Sequence, residues 1–490
     1  MKTNGLPVHA KQDAGKPHAC CAVPAGPLQV AVLGSGAAAF GAAIRLQQEG
    51  ARVTMVERGT VGGTCVNVGC VPSKILISAA SVAHARASSP FDAGISAAMP
   101  RVNLAALHAQ QQARVEQLRK SKYESILENS ANIRLLRGDA EFVDGHTLQV
   151  TGERGARETL RFDRALIATG ASAKIPEVPG LAETPYWTST EALDAQELPG
   201  HLIVYGGSYV ALELAQAFLR LGSRVTMIVR SRILSRQDPQ IGKTIHAILA
   251  QDGMRILTGQ PIQRVQHDGR MFTVEVAGER IGADRFLVAT GRRPNTARLA
   301  LERAGVVARE DGAVEIDPFL RTSNPNIYAA GDCTANPEYV YVAAAAGTRA
   351  AANMLGGHEA LDLSIVPGVV FTDPQIATVG LDAESARQQG ISVDTRTLPL
   401  EDVPRALANF DTRGFIQIVA EAESGRILGV QAVASQAGEL IQSASLAIRA
   451  RMTVNELAGQ LFPYLTMVEG LKLAALTFTR DIAQLSCCAG

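Results

Sequence analysis

Two short apolar runs in this chain each break into a glycine-led turn and then a helix-forming stretch, a pattern that few folds accommodate. The first run, residues 28–34, Leu-Gln-Val-Ala-Val-Leu-Gly, reads as a buried parallel strand. It leads into Gly34-Ser35-Gly36-Ala37-Ala38-Ala39 and a helical stretch through Gln48. Gly34 permits the tight turn, Gly36 lets a pyrophosphate approach the backbone, and Ala39 allows close helix–strand packing. Ala37 and Ala38 open the helix, whose free N–H groups and partial positive charge suit phosphates. A second strand, Arg52 to Val56, ends at Glu57, placed to accept hydrogen bonds from a ribose diol. Strand, turn, helix, strand and acid in this register predict a dinucleotide-binding unit.

The second run, Leu202-Ile203-Val204-Tyr205, opens into Gly206-Gly207-Ser208-Tyr209-Val210-Ala211. Gly206, Ser208 and Ala211 take the fingerprint positions, with Ser208 where a second glycine usually stands. A strand over Arg224 to Val229 ends at Arg230, where Asp or Glu would select NAD. An arginine there pairs with a 2′-phosphate and favours NADPH. Arg232 and Arg236 lie close by; the competing reading is a solvated basic loop.

Between these units lies Gly62-Gly63-Thr64-Cys65-Val66-Asn67-Val68-Gly69-Cys70-Val71-Pro72-Ser73-Lys74. A loop-to-helix turn brings cysteines at this spacing within bonding distance. The glycines remove side-chain bulk, and a helix start with Lys74 nearby favours thiolate over thiol. Zinc wants four ligands, which the stretch lacks. Of the seven cysteines, six fall in close pairs: Cys20–Cys21, Cys65–Cys70 and Cys487–Cys488. In a reducing compartment such pairs point to redox or metal chemistry. Cys333, directly after Asp332, reads as a small buried residue.

The segment 62–74 resembles the active-site motif of the flavin disulfide reductases, the pyridine nucleotide-disulfide oxidoreductase family. Further marks of that family recur in order: Ala168-Thr169-Gly170, Ala289-Thr290-Gly291-Arg292-Arg293-Pro294-Asn295, and Thr322 to Asp332. The resemblance implies an α/β fold with two Rossmann-like domains, for FAD and NADPH, plus an α+β C-terminal dimerisation domain. It implies FAD contacts from Gly34, Gly36, Ala37, Ala38, Glu57, Gly63, Thr64, Lys74, Thr169 and Gly170, with Asp332 on a ribityl hydroxyl. It implies NADPH contacts from Gly206, Ser208, Tyr209, Arg230, Arg236 and Gly291. Lys74 and Glu213 would pair beside flavin N5, and Tyr209 would cover the nicotinamide pocket. Plain packing or capping is the alternative for each of these three.

One departure separates the chain from the family's disulfide-splitting members. Their C-terminal His-Pro-Thr supplies an imidazole that shuttles the thiol proton; here Tyr464 stands at that position, and no histidine follows His358. A phenol of ordinary pKa ~10 shuttles protons poorly at pH 7 beside an imidazole near ~6.5. The ending Ser486-Cys487-Cys488-Ala489-Gly490 provides two adjacent soft ligands, which prefer soft d10 metals. A redox relay or a chance pair are the alternatives. The residues around Tyr464, together with this ending, are similar to the branch of the family that acts on mercuric ion. That resemblance implies a homodimer in which Cys487 and Cys488 of one subunit pass Hg(II), arriving as a thiol complex, to Cys65 and Cys70 of the other. Cys70 would be the flavin-proximal thiolate and Cys65 the outer thiol. Tyr464 and Tyr123 would line the metal site, with core packing the alternative for Tyr123. The competing activities are reduction of a small disulfide, against which Tyr464 counts, and non-catalytic metal sequestration.

The expected organisation is an N-terminal arm over 1–26, a FAD-binding domain over 27–173 with a helical insertion near 72–128, and an NADPH-binding domain over 174–296. A central FAD-binding segment over 297–364 and a dimerisation domain over 365–490 follow. The arm is too short for the metal-binding domain many family members carry; whether Cys20–Cys21 gathers metal is left open. Charge balances at 47 Lys+Arg against 47 Asp+Glu, and aromatics make up 4%. This excludes a global field for nucleic acid and a base-stacking platform. No run approaches ~20 uninterrupted apolar residues, and Met1 to Pro24 lacks a signal peptide's apolar core. The chain is therefore expected to be cytoplasmic, without membrane insertion.

Overall fold

The structure, a computed structural model, describes residues 26–481; Cys20, Cys21, Cys487 and Cys488 lie outside the described residues. The first sheet is parallel, in the order Ile327–Ala329, Arg164–Ile167, Gln29–Leu33, Arg52–Glu57, Ile133–Arg137. Its central strand Gln29–Leu33 is buried at Val30, Ala31, Val32 and Leu33, as expected of a strand covered on both faces. Helix Ala37–Gln48 packs on helix Val340–Met354. A Cβ on Gly347 would lie 2.0 Å from the Ala38 carbonyl oxygen, so glycine lets the backbones touch. Strand Ile327–Ala329 and helix Val340–Met354 thus complete the unit begun near the start of the chain, with the whole second nucleotide unit intervening in sequence.

The second parallel sheet runs Arg255–Thr258, Arg224–Val229, His201–Tyr205, Arg285–Val288. Strands Ala171–Ala173 and Arg292–Pro294 pair antiparallel and link the two nucleotide units. The third large sheet is antiparallel: Gly368–Val370, Gln375–Gly380, Ile427–Ala434, Phe415–Glu421, Val393–Pro399. Helices Ala437–Arg449 and Glu469–Leu476 pack on it. Two parallel α/β units and an α+β unit are the expected fold class.

One local expectation needs correction. The stretch around Cys65 is a short helix, Gly63–Val68, rather than a loop. Asn67 overrides the weak helix propensity of its β-branched neighbours: its amide donates to the Val61 and Gly63 carbonyls, each at 2.9 Å, and accepts from Arg119 at 3.2 Å. The span Gly63–Ala87 also has the length and apolar composition of a membrane-crossing helix, with mean hydropathy 1.5. Leu76, Ala80 and Ala83 on it are buried in a core shared with helix Tyr209–Leu221, although only 28% of its most apolar stretch is buried within the protein.

Helix Tyr209–Leu221 is the junction of the molecule. Glu213, Gln216 and Arg220 occupy one face at helical spacing and bind the segment Phe371–Asp373. Gln216 accepts from the Asp373 N–H and donates to its carbonyl, both at 2.8 Å, while Arg220 reaches the Asp373 carboxylate at 2.6 Å. Gln216→Leu leaves the Asp373 N–H unpaired and its carbonyl with only the longer 3.4 Å bond from Arg220, at a cost of about 2 kcal/mol. We expect thermal unfolding to shift down by ~2 °C; an unchanged Tm would show that the clamp adds no stability.

Candidate active site

The dithiol is shaped by a break between two helices. Gly69 separates helix Gly63–Val68 from helix Cys70–Ala87, and a Cβ on it would lie 2.9 Å from the Thr64 carbonyl oxygen. Cys70 therefore sits in the first turn of an 18-residue helix that has no side-chain cap. Unpaired N–H groups and the helix dipole favour an anion there. Cys65 and Cys70 are free, and the Cys65 thiol donates to the Cys70 sulfur. That hydrogen bond, together with the charge of Lys74, lowers Cys70 to about 7 against the cost of burial. The same bond, followed by burial, holds Cys65 well above the ordinary thiol range. Of the two sulfurs, Cys70 is the one that ionises first.

Lys74, one helical turn beyond Cys70, pairs with Glu213 Oε2 at 2.7 Å, and its ammonium lies 4.5 Å from the Phe371 ring centroid. The other oxygen of Glu213 accepts the Phe371 N–H at 2.9 Å. Tyr123 stands in a π-helical turn, Lys120–Glu124, and packs edge-on against Phe40 with centroids 4.9 Å apart. Its phenol is raised by burial and then by the charges of Cys65 and Cys70, which places it beside the dithiol as well as in the core.

Around the first fingerprint, Gly34 has φ +111° and a Cβ there would strike the Ala168 carbonyl oxygen at 2.3 Å. A Cβ on Gly63 would lie 2.6 Å from Gly36 Cα, so the dithiol segment lies directly against the turn. Ser35 Oγ donates to Glu57 Oε2 at 2.6 Å, and Gly59 N–H donates to Oε1 at 2.6 Å. Helix Ala37–Gln48 starts at Gly36 without a side-chain cap, whereas Asn103 and Asp382 cap helices elsewhere. Thr169 Oγ1, next to Gly170, is buried without a hydrogen-bond partner among the described residues. Burial raises the Asp332 carboxyl, opposed by Arg292, whose Nε is 3.8 Å away. An open helix start, an orphaned buried hydroxyl and a half-buried carboxylate fit the pyrophosphate and hydroxyls of FAD.

The second fingerprint repeats the arrangement. A Cβ on Gly206 would lie 2.1 Å from the Ala289 carbonyl oxygen, and helix Tyr209–Leu221 begins at Ser208, whose hydroxyl caps nothing. At Gly291, φ is +123° and a Cβ would meet no atom within 4 Å, leaving room for a ligand. Arg230 and Arg236 are exposed or half-exposed. Arg232 is committed elsewhere: its guanidinium donates to the Leu234, Ser235 and Gln237 carbonyls at 3.1, 2.9 and 2.8 Å. It braces the loop. The uncapped turn and two accessible arginines fit NADPH.

Tyr464 is half-exposed on a turn where Leu461 is 97% exposed, and Leu465 has φ +57°. Cys333 is fully buried, its thiol donating to the Ile167 and Ala330 carbonyls, and burial raises it to about 12. It is inert. No group of three or more His, Cys, Asp or Glu able to hold a metal occurs among the described residues. Sequence reasoning missed Ser35, Gln216 and Phe371. Ser35, between two fingerprint glycines and facing Glu57 across the turn, carried a usable signal; Gln216 and Phe371 matched no motif.

With this geometry in place, comparison with known proteins is decisive. The profile described as "Pyridine nucleotide-disulphide oxidoreductase" matches residues 28–347, and that family's dimerisation domain matches residues 366–475. The chain belongs to this family. It is 58% identical to the mercuric reductase of Acidithiobacillus ferrooxidans, over 94% of this chain and 85% of that protein. It is likewise 58% identical to the mercuric reductase of Shigella flexneri, over 95% and 83%. The HOCl-induced flavoprotein disulfide reductase RclA from Escherichia coli superposes with TM-score 0.83 at 30% identity, covering 92% of this chain and all of the other. These relatives place the oxidoreductase in the mercuric reductase branch, whose members are FAD-containing, NAD(P)H-dependent flavoenzymes.

In the reduced oxidoreductase, alkylation of Cys70 by iodoacetamide should rise with pH through a midpoint of about 7, because the thiolate fraction grows as pH climbs past the lowered value. Cys65→Ala removes the stabilising donor and should move the midpoint up toward the ordinary thiol value of ~8.5. Identical midpoints in the two proteins would show that the hydrogen bond does not poise the pair.

Proposed function

We propose that the oxidoreductase uses NADPH to reduce Hg(II), presented as a thiol complex, to Hg(0), and does so as a cytoplasmic homodimer in the service of mercury detoxification. The observation that carries this reading is the pairing of a thiolate-poised Cys70 with Tyr464, in place of the imidazole that disulfide reduction needs. The resemblance to mercuric reductases over nearly the whole chain supports it. On this reading residues 27–173 and 297–364 hold FAD, 174–296 hold NADPH, and 365–490 make the dimer and carry the Cys487–Cys488 tail.

The chemistry of the chain's own residues follows from soft-ligand exchange. Cys487 and Cys488 of one subunit take Hg(II) from the carrier thiol and present it to the other subunit's dithiol. The Cys70 thiolate attacks first, since it is already deprotonated; Cys65 releases its proton as it becomes the second ligand. Transfer between sulfurs breaks one Hg–S bond as another forms. It asks for no protonated leaving group at the dithiol, and a phenol at position 464 suffices. The exposed turn that carries Tyr464 suits a residue serving the partner's site, with Tyr123 of the receiving subunit beside the sulfurs. Lys74 and Glu213 fix the charge beside the acceptor. Bound FAD supplies the two electrons drawn from NADPH. Hg(II) would gain them and depart as Hg(0), leaving Cys70 as thiolate while Cys65 regains one proton, the one released with the electrons.

NADPH oxidation with and without Hg(II) in excess small thiol tests the reading. We expect oxidation to depend on Hg(II), and Cys487→Ala/Cys488→Ala to lower kcat/KM for the thiol-complexed metal by ~10-fold or more through loss of local ligand concentration. Turnover with oxidised glutathione but not with Hg(II) would establish a disulfide reductase instead.

A further inference from the structure

The phenol of Tyr209 is tied down by a hydrogen bond. Gln237 Nε2 donates to its hydroxyl oxygen at 2.5 Å, and Tyr339 lines the same small cavity. Tyr339 stacks on Tyr341 with centroids 5.2 Å apart and planes 10° from parallel, and the Tyr341 hydroxyl donates to the Pro367 carbonyl. Gly368 makes room for this cluster, since a Cβ there would lie 2.5 Å from the Tyr339 oxygen. Tyr209, Gln237, Tyr339 and Gly368, with Val370 and Thr378, enclose a cavity of about 10 Å³, so the ring is closely packed where it sits.

Gln237 is itself held in place. Its carbonyl accepts from Arg232 at 2.8 Å, its N–H donates to the Leu234 carbonyl at 2.9 Å, and the Leu234 N–H donates to the Gly207 carbonyl at 2.8 Å. The loop carrying Gln237 is thus braced against the second fingerprint turn. Arg236, the neighbouring residue on that loop, is read together with Arg230 as binding the 2′-phosphate. One rigid loop holds both the anchor for the adenosine half and a donor to the ring over the nicotinamide half.

We propose that Gln237 is a positioning residue that latches Tyr209 in its closed place, so that entry of the nicotinamide must first break the Gln237–Tyr209 hydrogen bond. The inference rests on the NADPH reading of the second fingerprint. Binding of a dinucleotide is weakened by the fraction of protein in the closed state, and removing the latch removes that penalty. Binding of the adenosine half alone, which does not displace the ring, is untouched.

The test is equilibrium titration of the oxidised, FAD-loaded full-length protein with NADP⁺ and, separately, with 2′,5′-ADP. Gln237→Leu should tighten NADP⁺ by about five-fold, the worth of one neutral hydrogen bond, and leave 2′,5′-ADP unchanged. Tyr209→Phe, which keeps the ring and deletes the acceptor, should give the same gain. The double variant should gain no more than either single one. Unchanged or weaker NADP⁺ binding in both variants, with normal 2′,5′-ADP binding, would overturn the latch. Failure of the unsubstituted protein to bind 2′,5′-ADP, with NAD⁺ tightened by Gln237→Leu, would support the latch and overturn only the NADPH assignment.

Discussion

The ion pair of Lys74 with Glu213 is the contact on which the remaining architecture depends. Glu213 is 7% exposed, and a carboxylate at that depth is costly unless every lone pair is answered. One oxygen receives the ammonium and the other receives the Phe371 N–H, so the charge is satisfied only when three separate parts of the chain meet. Those parts are the dithiol helix, the first helix of the second nucleotide unit, and the entry to the antiparallel sheet. Gln216 and Arg220 extend the same junction further along the helix. The position of the dithiol relative to both nucleotide turns is therefore set by buried polar pairing, which tolerates less displacement than apolar contact does.

Local chemistry explains which features are legible in the sequence. Gly34, Gly36 and Gly206 occupy tight turns, and at Gly34 and Gly206 a side chain would collide with a carbonyl oxygen, so the two nucleotide units and their order are plain from spacing alone. The helix at Cys65 is not, because Asn67 stabilises it through Val61 and Arg119, which lie outside the local run. Arg232 looks equivalent to Arg236 in sequence; only the loop's curvature turns its guanidinium inward onto carbonyls. Phe371 sits in Phe-Thr-Asp-Pro, an ordinary turn-like string whose contact with Lys74 exists only once the sheet has docked.

On the proposed reading, a shared scaffold is retuned by one exchange of residue type. An open helix start, a thiol donor and a lysine make Cys70 an anion near neutral pH, useful either for attacking a disulfide or for binding a soft cation. The partner group decides between these. Where an imidazole stands, the departing thiolate can be protonated; where Tyr464 stands, transfer between sulfurs is the chemistry left that needs no such proton.

The most direct measurement is release of Hg(0) from mixed dimers, at Hg(II) buffered by excess thiol. One subunit would carry Cys65→Ala/Cys70→Ala and the other Cys487→Ala/Cys488→Ala, with heterodimer formation verified by mass. Pairing across the interface predicts that mixing restores activity, to about a quarter of the unsubstituted level for random pairing of equal amounts. Heterodimers no more active than the two parent variants would contradict delivery from one subunit's tail to the other's dithiol.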